Sequence, residues 1–335
     1  MNFISTIYSL IKDESNRKVI SWSIKIFVFA LSYYFIYIQI FEKREIQSIS
    51  QQLILLLTKG DASLFWIALI LMLVNASLES LKWKFLIKKI EAITFLRSLN
   101  AIFSGRTLNI FAPYQLGEFG ARVFHLDKAD RWKAVIIVMI GNASQFVVTA
   151  ILGIFGLFYF INIKMDLNNI TYFLWIILGL VACGVILLAY FKMNWISNFF
   201  NMNKNFMRVE KYLQVFRYYS QIELTTVLLI SSTRYIVFIA QYLLLLYAFN
   251  IQIPLLSVVM SIFIIYILHT IIPTITIAQL GIKGSLAIYF LGMFSTNHLG
   301  LLTATACLWL INQILPALIG SIFVFNMKFF RNNAP

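Results

Sequence analysis

Residues 113–122 read PYQLGEFGAR and interrupt an otherwise apolar part of the chain. The apolar stretch before them, Ser98–Ala112, is shorter than the roughly 20 residues that carry a helix across a bilayer. Pro113 ends that helix because it lacks a backbone N–H. Basic residues flank the segment on both sides, and such flanks stay in the cytoplasm. The segment must therefore enter the membrane and return, and we predict a re-entrant hairpin near residues 98–126.

A second interruption repeats the first. Residues 279–285 read QLGIKGS, against QLGEFGA at residues 115–121, and a proline precedes each copy. Loop charge predicts that the first hairpin opens inward and the second, near residues 255–297, outward, which is the relation expected of an inverted-topology repeat. A helix that restarts inside the membrane directs its unpaired N–H groups and positive dipole end into a cavity. Such a helix end suits an anion, and a phosphate above all.

The composition around these breaks requires a lipid solvent. Of 335 residues, 61% are hydrophobic and 12% are charged, and a soluble globule of that balance could not cover its surface with polar groups. We predict an all-α polytopic integral membrane protein with about eight transmembrane or re-entrant helices. Besides the two hairpins, spans are predicted at about Val19–Phe41, Ala62–Leu86, Ala134–Phe160, Thr171–Phe191, Glu223–Phe249 and Leu301–Met327.

We predict a single transmembrane domain over residues 1–335, in three parts. The first half covers 1–160 and contains the re-entrant hairpin. Residues 161–222 supply a connecting span and a basic, aromatic-rich amphipathic segment at the cytoplasmic interface. The second half covers 223–335 and contains the broken hairpin, whose two arms either cross fully or form half-helices.

The basic residues predict the orientation. Lys and Arg number 27 against 13 Asp and Glu, for a net charge of +14, and their clusters fall between the apolar spans. Lys82, Trp83 and Lys84 end the second predicted span as a cytoplasmic boundary would. We expect a bacterial inner membrane, cytoplasmic N- and C-termini, and anionic lipid headgroups rather than nucleic acid as partners. A membrane enzyme is a further partner to consider.

Charged side chains at membrane depth are the candidate anion-binding residues. Arg234 falls near the middle of its predicted span, where an arginine costs roughly 2.5–3.5 kcal/mol and needs compensation. We weigh contact with an anionic headgroup against a structural ion pair with Glu118. Glu118 and Arg122 share one helix face, and Lys283 either binds phosphate or snorkels to a boundary. Arg106 ranks below them, because its segment reaches towards the surface. The helix restarts at Gly117 and Gly281 complete the predicted site, and Pro113 and Pro273 are the predicted helix breakers.

Other polar residues carry less functional weight. Asn142, Ser144 and Gln145 in one span, and Asn312 and Gln313 in the last, are more often helix–helix hydrogen-bonding groups than ligands. The three histidines lack metal-ligand spacing, and no catalytic motif is present. We therefore expect no metal, no cofactor, and a transport or binding protein rather than an enzyme.

The pattern Pro113-x-x-Leu116-Gly117-Glu118-x-x-x-Arg122 follows Lys82-Trp83-Lys84 and precedes Pro273…Leu280-Gly281-Ile282. This pattern resembles the lysylphosphatidylglycerol synthase transmembrane family, also called flippase-like, over nearly the whole chain. The resemblance implies a membrane domain that moves lipids between leaflets, in some members fused to a cytoplasmic aminoacyl-transferase domain. No such domain is recognised here, so lysyl transfer is not expected. The second motif often carries an acid in the family, whereas this chain has Lys283 at or beside that place.

These observations predict a protein that binds or translocates an anionic phospholipid or polyprenyl-phosphate-linked lipid. A secondary transporter of a small anion and a scaffold for a membrane glycosyltransferase are the alternatives. A groove open sideways to lipid would favour the first, a closed central pocket the second, and a packed interface without a cavity the third.

Overall fold

The computed structural model describes residues 44–59, 62–110, 112, 116–165, 168–195, 212–272 and 278–327, with scattered positions between 19 and 30. Regular structure within these residues is helical throughout, as predicted. Most of the predicted first span lies outside them, as do Pro113 and Pro273. The α-helices are α1 (Arg44–Lys59), α2 (Ser63–Ile87), α3 (Phe95–Asn109), α4 (Leu116–Phe124), α5 (Arg131–Lys164), α6 (Asn169–Phe191), α7 (Gln221–Ala248), α8 (Leu255–Ile271), α9 (Ala278–Leu291), α10 (His298–Trp309) and α11 (Leu315–Phe323).

Five helical stretches in the described part of the chain are long and apolar enough to cross a membrane. They agree with the predicted spans to within a few residues, since hydrophobic length decides them. The last one is continuous from α10 to α11 through a π-helical turn, Leu310–Ile314. The five stretches are Ser63–Ile87, Arg131–Lys164, Phe173–Phe191, Gln221–Ala248 and His298–Asn326.

The helices on either side of the first break are short and lie against each other. α3 has 15 residues and α4 has 9, so at 1.5 Å per residue they are about 22 and 13 Å long. A Cβ on Gly117 would lie 2.4 Å from the backbone nitrogen of Asn109. The start of α4 therefore packs directly on the backbone at the end of α3, which only glycine allows.

The second broken element consists of α8, with 17 residues, and α9, with 14. α8 packs along α5, and α9 packs on α10. The two broken elements approach each other, because Ile110 at the end of α3 and Leu280 in α9 join one apolar cluster with Trp309 and Ile314.

α2 and α7 pack side by side through the centre of the molecule and join two apolar cores. Met72 of α2 lies in one core with Leu245 of α7, while Trp83 and Val227 lie in the other. The part of each helix between the cores carries polar side chains. This arrangement places a buried polar layer at mid-length of α7 and in the C-terminal half of α2.

The segment before α7 is described from residue 212, where a 3-10 helix covers Gln214–Tyr218. Tyr219 is buried, and its hydroxyl donates a 2.7 Å hydrogen bond to the carbonyl oxygen of Leu86. This aromatic side chain therefore anchors the segment to α2 instead of lying among lipid headgroups.

Candidate functional site

Glu79 is the centre of the buried polar layer. Its side chain is 3% exposed, and its two carboxylate oxygens accept from three cations on three helices. Oε1 accepts from Nη2 of Arg122 at 2.8 Å, and Oε2 accepts from Nζ of Lys82 at 2.8 Å and from Nη1 of Arg234. One carboxylate thus holds α2, α4 and α7 together.

Arg234 is buried near the middle of α7, and its bonding is more extensive than the sequence suggested. Besides Glu79, it donates from Nε to Oδ1 of Asn75 at 2.9 Å and from Nη1 to Oε1 of Gln145 at 3.1 Å. The carboxylate that it contacts is Glu79 on α2, whereas the ion pair weighed from the sequence was with Glu118. Gln145 thereby acts between helices α5 and α7, as expected for an amide in a membrane helix.

Glu118 extends the network to the first hairpin. It accepts from Arg122 at 3.2 Å, one turn further along α4, and from Nη1 of Arg106 on α3 at 2.8 Å. Arg106 is 20% exposed, against 3% for Arg122. Cations and carboxylates therefore alternate from the core outwards, through Glu79, Arg122, Glu118 and finally Arg106.

Lys82 belongs to this network and not to the membrane boundary, which corrects the sequence-based interpretation. Its side chain is 1% exposed. Besides Glu79, its ammonium donates to the carbonyl oxygen of Gly141 at 3.2 Å and to Oγ of Ser231 at 3.5 Å. Lys84, two positions on, is exposed and remains a candidate for the boundary.

A cavity of about 150 Å³ lies beside the outer end of this network. Arg106 and Lys283 line it together, so it connects the first hairpin with the second. The lining also includes Asn312, Gln313 and Gln145. Of the sequence-predicted cations, Arg106 and Lys283 line the cavity. Arg122 and Arg234 lie within the ion-pair network, to which Arg106 also belongs.

The cavity has an excess of positive charge. Arg106 and Lys283 repel each other across it, and no Asp or Glu is among the described residues of its lining. The chain has no acidic residue at all from position 224 to its end, so the second half offers Lys283 no carboxylate. Two carboxylates, Glu79 and Glu118, face five cations in this region. An anion would complete the charge balance.

Two polar atoms at the cavity are buried without a hydrogen-bond partner among the residues that the structure describes. They are the hydroxyl of Tyr235, whose side chain is almost completely buried, and Nε2 of His269. Buried polar atoms usually find partners in a folded protein or in bound water. Both residues line the cavity, so the two atoms are candidates for contact with a ligand there.

A π-helical turn forms one wall of the cavity. Leu310–Ile314 adopts this geometry just before Pro316, and it carries Asn312 and Gln313 into the lining. π-helical turns are rare and frequently occur at functional sites. The sequence reasoning had assigned both amides to helix packing.

The comparison with known families agrees with this architecture. The sequence profile of the lysylphosphatidylglycerol synthase TM region matches residues 20–320. The chain belongs to the lysylphosphatidylglycerol synthase transmembrane family. No curated protein matches the chain. Membership is consistent with a lipid-related function in a membrane.

The two glycines of the repeated motif have different surroundings in this family member. Gly117 is buried against the backbone of α3, whereas a Cβ on Gly281 would meet nothing within 4 Å. Gly117 therefore serves close helix packing, whereas Gly281 is exposed and has open space beside it among the described residues. Anion binding at either helix restart stays a prediction.

The base of the first hairpin, outside the membrane-spanning segments, is held by Glu91. Its carboxylate accepts from the backbone N–H groups of Asp127, Lys128 and Ala129 at 2.8 to 3.1 Å. Partial burial alone would raise the pKa of Glu91, but these N–H donors and the guanidinium of Arg97 lower it below its usual value. The ionised carboxylate fixes the loop that leads from α4 to α5.

Sequence reasoning missed Glu79 and Lys82 as site residues. The signal was present, because an ionisable residue inside an apolar span is by default a functional candidate. Glu79 and Lys82 are three positions apart, so they share a helix face. Their nearness to the end of the predicted span made the lysine resemble a boundary residue.

Proposed function

We propose that this protein binds the phosphate headgroup of an anionic lipid and moves that lipid between leaflets. The observation that supports the proposal is the 150 Å³ cavity lined by Arg106 and Lys283 without an acidic residue among its described lining. Charge-assisted hydrogen bonds from such cations to phosphate oxygens are about twice as strong as neutral ones. An unpaired cation in this setting is costly, so a bound anion would offset that cost.

The size and the rim of the cavity favour a lipid headgroup. A cavity of 150 Å³ has room for about one benzene-sized group, which fits a headgroup but not a whole lipid. Thr270 in the lining is exposed, and Ile271 beside it is 64% exposed. The acyl or prenyl chain would therefore stay in the bilayer, next to apolar side chains, while the phosphate enters the cavity.

The ion-pair network supplies a counter-charge for the empty site. Glu118 bonds Arg106 and Arg122 at the same time, so it neutralises part of the charge that a phosphate would otherwise balance. On binding, the phosphate would compete with Glu118 for Arg106. The two broken hairpins, acting as inverted repeats, would then expose the site to either leaflet in turn.

We further propose that the protein acts in a bacterial inner membrane with cytoplasmic termini. In this proposal the protein is not an enzyme and uses no cofactor, no metal and no nucleic acid. The translocated lipid would be a phospholipid or a polyprenyl-phosphate-linked lipid, and a membrane enzyme that uses that lipid is the natural partner.

Reconstitution in vesicles that contain fluorescently labelled phosphatidylglycerol tests the function. The label in the outer leaflet is destroyed chemically, so that further loss of signal measures translocation. We expect Lys283→Ala and Arg106→Ala to slow translocation by about tenfold, since a charge-assisted hydrogen bond contributes on the order of 1.5–3 kcal/mol. Lys164→Ala, which removes an exposed lysine at the end of α5, should leave the rate unchanged.

A small-anion transporter is the second candidate, because the same cavity volume suits a free inorganic anion. Vesicles loaded with radiolabelled phosphate distinguish the two functions. Phosphate exchange that depends on Lys283, without lipid translocation, would favour the transporter. If neither the lipid nor the phosphate crosses, the scaffold function becomes the better interpretation.

A further inference from the structure

The lining of the cavity also indicates which lipid headgroups would be excluded. Arg106 and Lys283 line it, and neither the described lining residues nor any residue after Glu223 supplies a carboxylate there. A positively charged substituent on the headgroup would therefore meet a lining with excess positive charge, because Glu118, which bonds Arg106, is also bonded to Arg122.

The remaining polar groups of the lining are neutral. Asn312 and Gln313 add amide donors and acceptors from the π-helical turn, and the Tyr235 hydroxyl and His269 Nε2 have no hydrogen-bond partner in the described part of the chain. Amides and hydroxyls pair well with the hydroxyl groups of a glycerol or a sugar. An ammonium group, by contrast, gains most from carboxylates, which the lining lacks.

We propose that the cavity selects lipids whose phosphate carries a hydroxylated, amine-free headgroup, and that it rejects lipids with an aminoacyl or other cationic headgroup. This inference rests on the proposed function, since it names the substrate class of the same site. The discrimination is electrostatic: Arg106 and Lys283 attract the phosphate and repel an ammonium bound to it. The neutral amides then accommodate the hydroxyl groups.

Equilibrium binding to the purified full chain in a nonionic detergent tests the selectivity. Short-chain phosphatidylglycerol and short-chain lysyl-phosphatidylglycerol share the glycerol phosphate and differ by the added lysyl group. Trp309 lines the cavity, so its fluorescence reports occupancy, and Trp309→Phe shows which part of the signal comes from the site. We expect lysyl-phosphatidylglycerol to bind at least about tenfold more weakly than phosphatidylglycerol, because like charges are strongly unfavourable at a desolvated site.

Two variants lower the positive charge of the lining in different ways. Lys283→Glu replaces a cation with an anion, and Gln313→Glu adds a carboxylate with almost no change of shape. Both should narrow or invert the preference, so a folding defect in one leaves the other as a test. Gln221→Glu, at an exposed position at the start of α7, adds the same charge away from the cavity and should leave the preference unchanged.

The possible results separate the selectivity from the function. Equal or tighter binding of lysyl-phosphatidylglycerol would overturn the selectivity and leave the proposed lipid function standing. Binding of inorganic phosphate without binding of either lipid would overturn both. A preference for phosphatidylglycerol that Gln313→Glu and Lys283→Glu do not alter would place the discrimination outside this cavity and also overturn the inference.

The neutral amides of the cavity lining allow a second test of the inference. Phosphatidic acid carries the phosphate without the glycerol hydroxyl groups of phosphatidylglycerol. Asn312→Leu should weaken the binding of phosphatidylglycerol several-fold and change that of phosphatidic acid little. An equal effect on both lipids would remove the hydroxyl-recognition part of the inference.

Discussion

Arg234 and Glu79 form a buried ion pair between α7 and α2, although 155 positions separate them in the chain. Their side chains are 6% and 3% exposed. Lys82 and Arg122 contact the same carboxylate. The pair is therefore the centre of a network in which one buried carboxylate balances the charge of several cations.

Removing the charge of Glu79 should be strongly destabilising. Glu79→Gln leaves Lys82, Arg122 and Arg234 buried without their shared carboxylate, and breaking a buried pair costs roughly 3–5 kcal/mol. Thermal unfolding in detergent should show a large fall in Tm. The matched control is Glu223→Gln, which breaks the more exposed pair with Lys89 and should cost no more than about 1 kcal/mol. Equal effects of the two substitutions would contradict the central role of Glu79.

Lys82 and Lys84 should respond very differently to the same substitution. Lys82→Met removes a buried partner of Glu79 and should cost about 3 kcal/mol, at the lower end of the range for a broken buried pair, because two arginines remain on the carboxylate. Lys84→Met changes an exposed side chain and should shift Tm little. The measurement is again thermal unfolding. Similar Tm values for the two variants would indicate that Lys82 is a boundary residue and not part of the buried network.

The repeated motif offers a matched pair of glycines. Gly117→Ala places a Cβ within 2.4 Å of α3 backbone atoms, so the helices must separate, at a cost of about 2–3 kcal/mol or more. Gly281→Ala meets open space and lies inside α9, where alanine favours the helix by up to about 1 kcal/mol. Denaturant titration should show Gly117→Ala below the unsubstituted protein and Gly281→Ala at or above it. A tolerated Gly117→Ala would contradict the close contact of α3 and α4.

Stability should depend on pH through Glu91. Because its pKa is lowered from 4.5 in the folded protein, the ionised carboxylate stabilises the fold above that value, and this contribution is lost as the pH falls through the lowered pKa. Glu91→Gln should therefore have a lower Tm than the unsubstituted protein near neutral pH, and the difference should shrink as the pH falls below 4.5. A Tm difference that stays constant over this range would show that the charge of Glu91 is not what holds the hairpin base.

The apolar spans and their interruptions could be predicted because they depend on local properties. Hydrophobic length decides that Ser63–Ile87 and Gln221–Ala248 are helices, whatever packs against them. Charged residues are rare within apolar spans, and Arg234, Glu118 and Lys283 were therefore candidate site residues from the sequence alone. Each of these positions is recognisable from its neighbours in the chain alone.

Only the tertiary structure decided which charges meet and which remain at a cavity. The partners of Arg234 depend on how α2, α5 and α7 are rotated against one another, and that rotation follows from side-chain packing over the whole helix. The same packing buries Lys82, leaves Lys84 exposed two positions later, and brings Arg106 beside Lys283 from a distant part of the chain. Local sequence therefore determined a membrane protein with two broken elements, whereas helix packing determined that a cationic cavity lies between them.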